Sequence, residues 1–187
     1  VQTCALPIFI NEPESEGQQT FIKELAWRDY YNMIYAMNPQ QNTQSLRPEF
    51  QKIAWRNNHN DFLLWQTGQT GFPIVDAAMR QLNQTGWMHN RLRMIVASFL
   101  TKDLLIDWRW GEQYFHDQLL DYDPASNIGG WQWAASTGTD SVPYFRIFNP
   151  TRQSQKFDPD GQFIKQFVPE LSQITNDKIH EPQLLTD

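Results

Sequence analysis

Apolar residues recur along this chain at helical spacing, in blocks parted by Pro, Gly and polar runs, and the pattern predicts an all-α fold. A first helix begins at Thr20, carries Phe21, Leu25 and Ile34, and stops at Asn38-Pro39. The Gln-rich stretch 40–48 reads as a loop closed by Pro48. Phe50, Ile53 and Trp55 fit either a short helix or an extended piece. Asp61 suits the cap of a short helix through Trp65, ended by Gly68 and Gly71. Pro73 opens a clearer helix over 74–84, with Ile74, Ala77, Ala78 and Leu82 on one side and Gly86 as its C-terminal cap. The next helix spans 89–105. Leu92, Ile95, Val96 and Phe99 define its inner face and Met94, Ala97 and Leu100 widen it, so this helix is expected at the centre. Gly111 precedes a further helix to Leu120, and Asp123-Pro124 caps and opens another. Residues 138–161, with Gly138, Pro143, Pro150, Pro159 and Gly161, read as loop. A last helix covers 162–167, before Pro169. Strand alternation, hairpin signals and internal repeats are missing from the pattern.

This divides the 187 residues into a foreign leader at 1–8, a loop or linker at 9–19, a helical domain at 20–171 and a polar, fraying tail at 172–187. The leader Val-Gln-Thr-Cys-Ala-Leu-Pro-Ile lacks the charged start and long apolar run of a signal peptide. It matches the translation of a common sequencing-adapter primer, so the chain is expected to be an N-terminally truncated gene product. Setting the leader aside removes Cys4, the single cysteine, and with it any disulfide or thiolate chemistry, as suits a reducing cytoplasm.

Composition adds two constraints. Eight Trp, twelve Phe and six Tyr are a heavy aromatic load for a chain whose mean hydropathy is −0.60. Tryptophan fills cores and also stacks on flat ligands, so the excess serves either use. The net charge of −6 argues against a protein that coats nucleic acid by neutralising phosphates, although a local basic patch fits on an acidic body. The apolar runs are too short to span a bilayer, and no membrane partner is expected.

Few chemistries survive inspection of the motifs. His59, His89, His116 and His180 show no ligand spacing, and Asp121-Tyr-Asp123 followed by Pro124 lacks the other ligands of a calcium loop, so no metal is expected. Phosphate loops, dinucleotide fingerprints and nucleophile elbows are missing too. The densest mixture lies at 121–133, Asp-Tyr-Asp-Pro-Ala-Ser-Asn-Ile-Gly-Gly-Trp-Gln-Trp. Gly129 and Gly130 allow close approach to the backbone, and Trp131 and Trp133, two apart on a helix, face different ways. The segment suits a flat, aromatic, hydrogen-bonding ligand; it equally suits a helix start and a Trp-anchored core turn. Two readings remain: a glycan-binding or glycan-acting protein with Glu24 and Asp121 as acid and base, or a flavin site with redox-active tryptophans.

Three runs of residues separate these readings. They are Glu-Leu-Ala-Trp-Arg-Asp-Tyr-Tyr at 24–31, Gly-Phe-Pro-Ile-Val-Asp-Ala-Ala-Met-Arg through Gly-Trp-Met-His-Asn-Arg-Leu-Arg-Met to Lys-Asp-Leu-Leu-Ile-Asp-Trp at 71–108, and Asn-Ile-Gly-Gly-Trp-Gln-Trp-Ala-Ala-Ser-Thr-Gly-Thr-Asp with Tyr-Phe-Arg-Ile-Phe-Asn at 127–149. Over about residues 17–171 the chain resembles the FAD-binding helical domain of class I cyclobutane pyrimidine dimer photolyases.

The resemblance implies light-driven repair: reduced FAD passes an electron to a pyrimidine dimer flipped out of DNA, and the ring splits. It implies that Glu24 bonds the dimer, that Trp27 and Trp133 wall the flipped bases, and that Arg28 and Arg91 meet DNA. Asn90 would touch flavin and dimer, with Met94 lining the pocket. Arg93 and Asp121 would pair beside the flavin ring, Asp123 would bind its polar edge and Asn127 would sit near N5. Trp131, Trp108 and Trp55 would relay electrons outward. Gln153 would contact the lesion strand, with Arg152 or Lys156 supplying charge for phosphate.

Asn90-Arg91 favours dimer repair over six-four photolyases and animal cryptochromes, and Asn127 argues against a plant-type cryptochrome. A cryptochrome-type blue-light photoreceptor is the alternative, and a Trp-rich glycan protein the remoter one. The family's α/β antenna domain and the upstream helices that hold the FAD phosphates are absent from this sequence. The fragment, taken as a monomer, is therefore expected to bind FAD weakly or not at all, and the antenna chromophore is not legible.

Overall fold

Local capping chemistry sets where the helices begin. The computed structural model describes residues 15–141, 143–175 and 178–184, and among them the secondary structure is helical without strands. Eight α-helices are described: α1 Glu16–Met37, α2 His59–Thr67, α3 Pro73–Thr85, α4 Asn90–Ser98, α5 Trp108–Gln118, α6 Pro124–Ala134, α7 Pro150–Phe157 and α8 Gln162–Phe167. Short 3₁₀ turns lie at Pro39–Asn42, Pro48–Phe50, Pro169–Leu171 and Pro182–Leu184. The all-α expectation holds. Proline at the first position opens α3, α6 and α7, and left-handed Gly68 and Gly86 close α2 and α3.

Packing forms two groups joined by one helix. Helix α3 packs against α2, α7 and α8; α6 packs against α1 and α5; α4 touches both α3 and α6. The predicted central helix is therefore central. Ile74, Val75, Met79 and Leu82 of α3 and Ile95, Val96 and Leu100 in and after α4 are all but sealed from solvent. Each such side chain contributes about 1.5–3 kcal/mol by burial, which fixes the platform on which α1, α5 and α6 meet. Buried Gln132 ties the Gln-rich loop to α6. Its Oε1 accepts the Leu46 N–H at 2.8 Å, and its Nε2 donates to the carbonyls of Gln41 and Gln44 at 3.1 Å each. No described helix is long and apolar enough to cross a membrane.

The structure differs from the sequence expectation at several places. Helix α1 starts at Glu16, not Thr20, because Ser15 and Gln18 form a reciprocal capping box upstream. The leader and most of the expected linker lie outside the described residues. Helix α2 is capped by Asn58 rather than Asp61, its side-chain oxygen accepting the N–H groups of Asn60 and Asp61. The segment expected to be one helix over 89–105 is α-helical to Ser98 and then widens into a π turn, Phe99–Asp103; left-handed Leu105 (φ 55°) ends it. Gly111 lies inside α5 instead of before it, since Asp107 caps the helix at Arg109. Helix α7 occupies a region expected as loop: Asn149 accepts the Arg152 N–H, and Pro150 is a first-turn proline, not a breaker. The tail expected to fray instead buries Ile179 and His180. Ile179 packs on Gly161, and the His180 ring bonds Ser154 and the Pro159 carbonyl. Phe50 ends a 3₁₀ turn, and the residues from Ile53 to Trp55 are not helical.

Candidate functional site

Three helices each turn a stripe of residues toward one cavity of about 630 Å³. On α1 these are Glu24, Trp27, Arg28 and Tyr31; on α4, Asn90, Arg93, Met94 and Ala97. Both sets follow i, i+3, i+4, i+7, the spacing of one helical face. Helix α6 repeats the device from its cap, with Asp123, Ser126, Asn127, Gly130 and Trp131, and adds Trp133, three residues after Gly130, so that the two tryptophans expected to face different ways line opposite margins of one stripe. Phe115 of α5, Leu119, Asp121 and Asp140 complete the wall. The volume is that of a pocket for a ligand of cofactor size.

The polar groups of the wall are held in place. Arg93 donates from Nη2 to both Asp121 oxygens at 2.9 and 2.8 Å and from Nε to the Met88 carbonyl at 2.8 Å. The guanidinium thus lies in a fixed plane with its partner beside it. Asp123 accepts the Ser126 N–H at 2.8 Å as the α6 cap, leaving its second oxygen for a ligand. Asn127 donates through Nδ2 to the Glu112 carbonyl oxygen (3.3 Å) and to Glu112 Oε1 (3.1 Å). The Tyr122 hydroxyl donates to the same Oε1 at 3.1 Å. Burial and then the neighbouring Glu112 charge push the Tyr122 phenol well above its usual range, so it stays a donor. Burial, with Tyr30 and Asp140 alongside, pushes the Tyr31 phenol up to about 12, so it lines the cavity as a neutral hydroxyl.

Apolar rings supply the remaining walls. Trp131 is buried edge-on to Phe115 (centroids 5.1 Å apart) and to Trp65 (6.0 Å). Where Gly129 lies, the Tyr31 ring takes the space of a side chain, which brings α1 onto α6. At Gly130 a Cβ would meet nothing within 4 Å, so the missing side chain adds room to the cavity. Such a space, walled by rings and edged by a fixed Arg–Asp pair, a free carboxylate oxygen and an oriented amide, fits a flat heteroaromatic ring with polar edges.

Of the residues singled out from the sequence, Glu24, Trp27, Arg28, Asn90, Met94 and Trp133 share the cavity with Arg93, Asp121, Asp123, Asn127 and Trp131. Four lie elsewhere. Arg91 stacks on Phe157 of α7, 4.7 Å from its centroid, with Lys156 over the same ring at 5.3 Å. Gln153 is on α7 too, with its Oε1 buried and unpartnered. Trp108 is sealed in the core with its Nε1 unpartnered, and Trp55 is half-buried against the core. Sequence reasoning singled out Gly130 but missed Tyr31 and Ala97, which follow seven residues after Glu24 and Asn90, and a search for that spacing would have found them. It also missed Glu112 and Tyr122, which no local spacing connects to Asn127. A shallower recess of about 720 Å³ shares Trp27 and Asp140 with the cavity and adds Lys23 and Arg47 at its margin.

Residues 21–187 match the model of the FAD-binding domain of DNA photolyase. The chain belongs to this family. As a photolyase-family domain it is 56% identical, over 176 residues, to the deoxyribodipyrimidine photo-lyase of Alkalihalophilus pseudofirmus, covering 94% of this chain and 37% of that protein. Its fold matches a class III photolyase from Agrobacterium tumefaciens with a TM-score of 0.89 at 47% identity, over 92% of this chain and 36% of the other. A Synechocystis cryptochrome matches with a TM-score of 0.88 at 41% identity, over 94% and 36%. The chain thus spans a little over a third of the length of these relatives.

Proposed function

We propose that the photolyase-family protein to which this chain contributes its helical domain repairs cyclobutane pyrimidine dimers in DNA under light. The observation that carries this reading is the single cavity. It gathers the residues implied to grip a dimer (Glu24, Trp27, Asn90, Met94, Trp133) with those implied to hold a flavin (Arg93, Asp121, Asp123, Asn127). When bound and fully reduced, FAD supplies the photoexcited electron that splits the dimer and then takes it back. The chain's own residues perform the rest. Trp27 and Trp133 offer apolar faces to bases lifted from the stack, which lowers the cost of extrusion. Glu24 hydrogen-bonds the dimer and stabilises the charge that develops there. Asn90 would bond both dimer and flavin from the cavity wall. Arg93, locked by Asp121, holds the ring plane, and Asp123 accepts from its polar edge.

Arg28 in the cavity wall, and Arg91, Gln153 and Arg152 or Lys156 outside it, supply the DNA contacts, which supports binding with moderate salt dependence on an acidic body. Trp131 in the cavity wall, buried Trp108 and half-buried Trp55 form the route by which electrons reach the cofactor. Asn90 and Asn127 support the dimer-repair class, class I in type. Likeness to the Synechocystis cryptochrome favours one second reading, a blue-light photoreceptor with the same cavity.

The two separate in one experiment. This chain replaces the matching segment of the Alkalihalophilus enzyme, and the chimera is given DNA carrying pyrimidine dimers, in light and in darkness. Repair in light alone is expected, and Glu24→Ala lowers the repair yield more than the flavin content. A chimera that keeps its flavin and leaves dimers intact refutes the repair reading and favours the photoreceptor.

A further inference from the structure

The Asn127 amide has only one orientation that its surroundings accept. Both groups that face Nδ2, the Glu112 carbonyl and the Glu112 carboxylate, accept hydrogen bonds, so the amide oxygen is excluded from that side. Oδ1 is left for the cavity, where it acts as an acceptor and selects a ligand that carries a hydrogen at that point. The shorter of the two bonds goes to a carboxylate oxygen, Glu112 Oε1, at 3.1 Å against 3.3 Å for the carbonyl. Glu112 is 9% exposed, and no described residue forms an ion pair with it. Its other side-chain partner is the Tyr122 hydroxyl, which donates to the same oxygen from outside the cavity. Tyr122 is held in turn, edge-on to the His116 ring at 4.7 Å and flanked in sequence by Asp121 and Asp123, both in the cavity wall.

We infer that Tyr122 is a positioning residue: through Glu112 it holds the Asn127 amide with its oxygen toward the cavity, and so biases a bound flavin toward forms that carry a hydrogen on the ring nitrogen facing Asn127. The flavin half of this statement rests on the reading above; the orientation of the amide does not. Without the phenol, Oε1 loses a donor and Glu112 is free to turn to another, which leaves the amide held only by the longer bond to the Glu112 carbonyl and weakens its preference for that orientation. The loss then appears as a weaker preference for the hydrogen-bearing forms, with no change in cavity shape.

Two readouts test this, and neither is turnover. In the ¹⁵N-labelled 187-residue chain, Tyr122→Phe should speed hydrogen exchange at the Asn127 side-chain amide about tenfold, the loss of one hydrogen bond's worth of protection, with the α6 backbone unchanged. Glu112→Leu keeps the bulk but takes the shared oxygen from both donors, and it should raise the same exchange rate; it serves where Tyr122→Phe fails to fold. Unchanged exchange in the folded variants overturns the lock. In the flavin-loaded chimera, a tenfold loss of preference lowers the one-electron potential by about 59 mV. Faster exchange with an unchanged potential refutes the bias while leaving the lock. A folded chimera that retains no flavin instead overturns the flavin reading, and the bias with it, while the exchange experiment still decides the orientation.

Discussion

Gly111→Ala places a methyl group inside the contact between α5 and the Trp131 wall. The added Cβ would lie 2.1 and 2.5 Å from two ring carbons of Trp131 and 2.6 Å from Leu100 Cδ2. Carbon atoms rest at about 3.5–4.0 Å, so the indole must withdraw by roughly 1.4 Å or more. Phe115 and Trp65 pack against Trp131 on other sides, so the indole can yield only toward the cavity. Two energies compete. Replacing a mid-helix glycine by alanine stabilises the helix by about 1 kcal/mol. Overpacking a filled core costs about 1–3 kcal/mol, and a clash with a buried indole belongs at the upper end. The net is a destabilisation of about 1–2 kcal/mol, or a fall in melting temperature of roughly 2–8 °C for a domain of this size. Thermal unfolding of the chain followed by near-ultraviolet circular dichroism reads both effects, since the displaced tryptophan changes the folded-state signal. A melting temperature equal to or above that of the parent, with an unaltered tryptophan signal, would refute the reasoning.

Three further outcomes follow from the same contacts. Gly130→Ala meets no neighbour and adds a helix former, so it should stabilise the chain by about 1 kcal/mol while reducing flavin content in the chimera; undiminished flavin would show that the cavity does not use this space. Burial pushes the Lys102 ammonium, which donates to Ser136 Oγ at 2.7 Å, down to about 8. The folded chain therefore sheds this proton before the unfolded chain does, and folding gains stability as pH rises from about 8 toward 10, a gain absent from Lys102→Met in parallel melts; identical pH slopes would contradict it. In the chimera, Trp131→Phe should block photoreduction of oxidised flavin yet leave repair by pre-reduced enzyme largely intact, and equal loss of both would remove Trp131 from the relay.

Much of the fold is legible because its signals are local. Pro73 and Gly86 bracket α3, Asp123-Pro124 opens α6, and Leu92 through Leu100 mark the central helix by breadth of apolar face. Where the physics is long-range, the pattern misleads. Pro150 looks like a breaker until Asn149 is seen to cap the turn it begins. Gly111 looks like a boundary until the Trp131 ring is found in its place. The tail looks soluble until Ile179 meets Gly161. The site divides the same way. Residue stripes on α1, α4 and α6 carry the spacing of one face, but which face each helix turns inward is settled by how α4 joins the two groups of helices. Glu24, Asn90 and Asn127 stood out through family resemblance and not through any spacing of their own. Glu112 was silent because fifteen residues separate it from Asn127, and its role appears only when α5 and α6 are packed.

The most direct test of the central claim, that this cavity holds a flavin ring, is the absorbance spectrum of the purified Alkalihalophilus chimera after gel filtration. The account expects about one flavin per chain, with a structured band shifted from that of free flavin, and loss of that band in Asp121→Ala, which frees Arg93 from its plane. A folded chimera that emerges colourless, or whose flavin has the spectrum of the free cofactor, would contradict it.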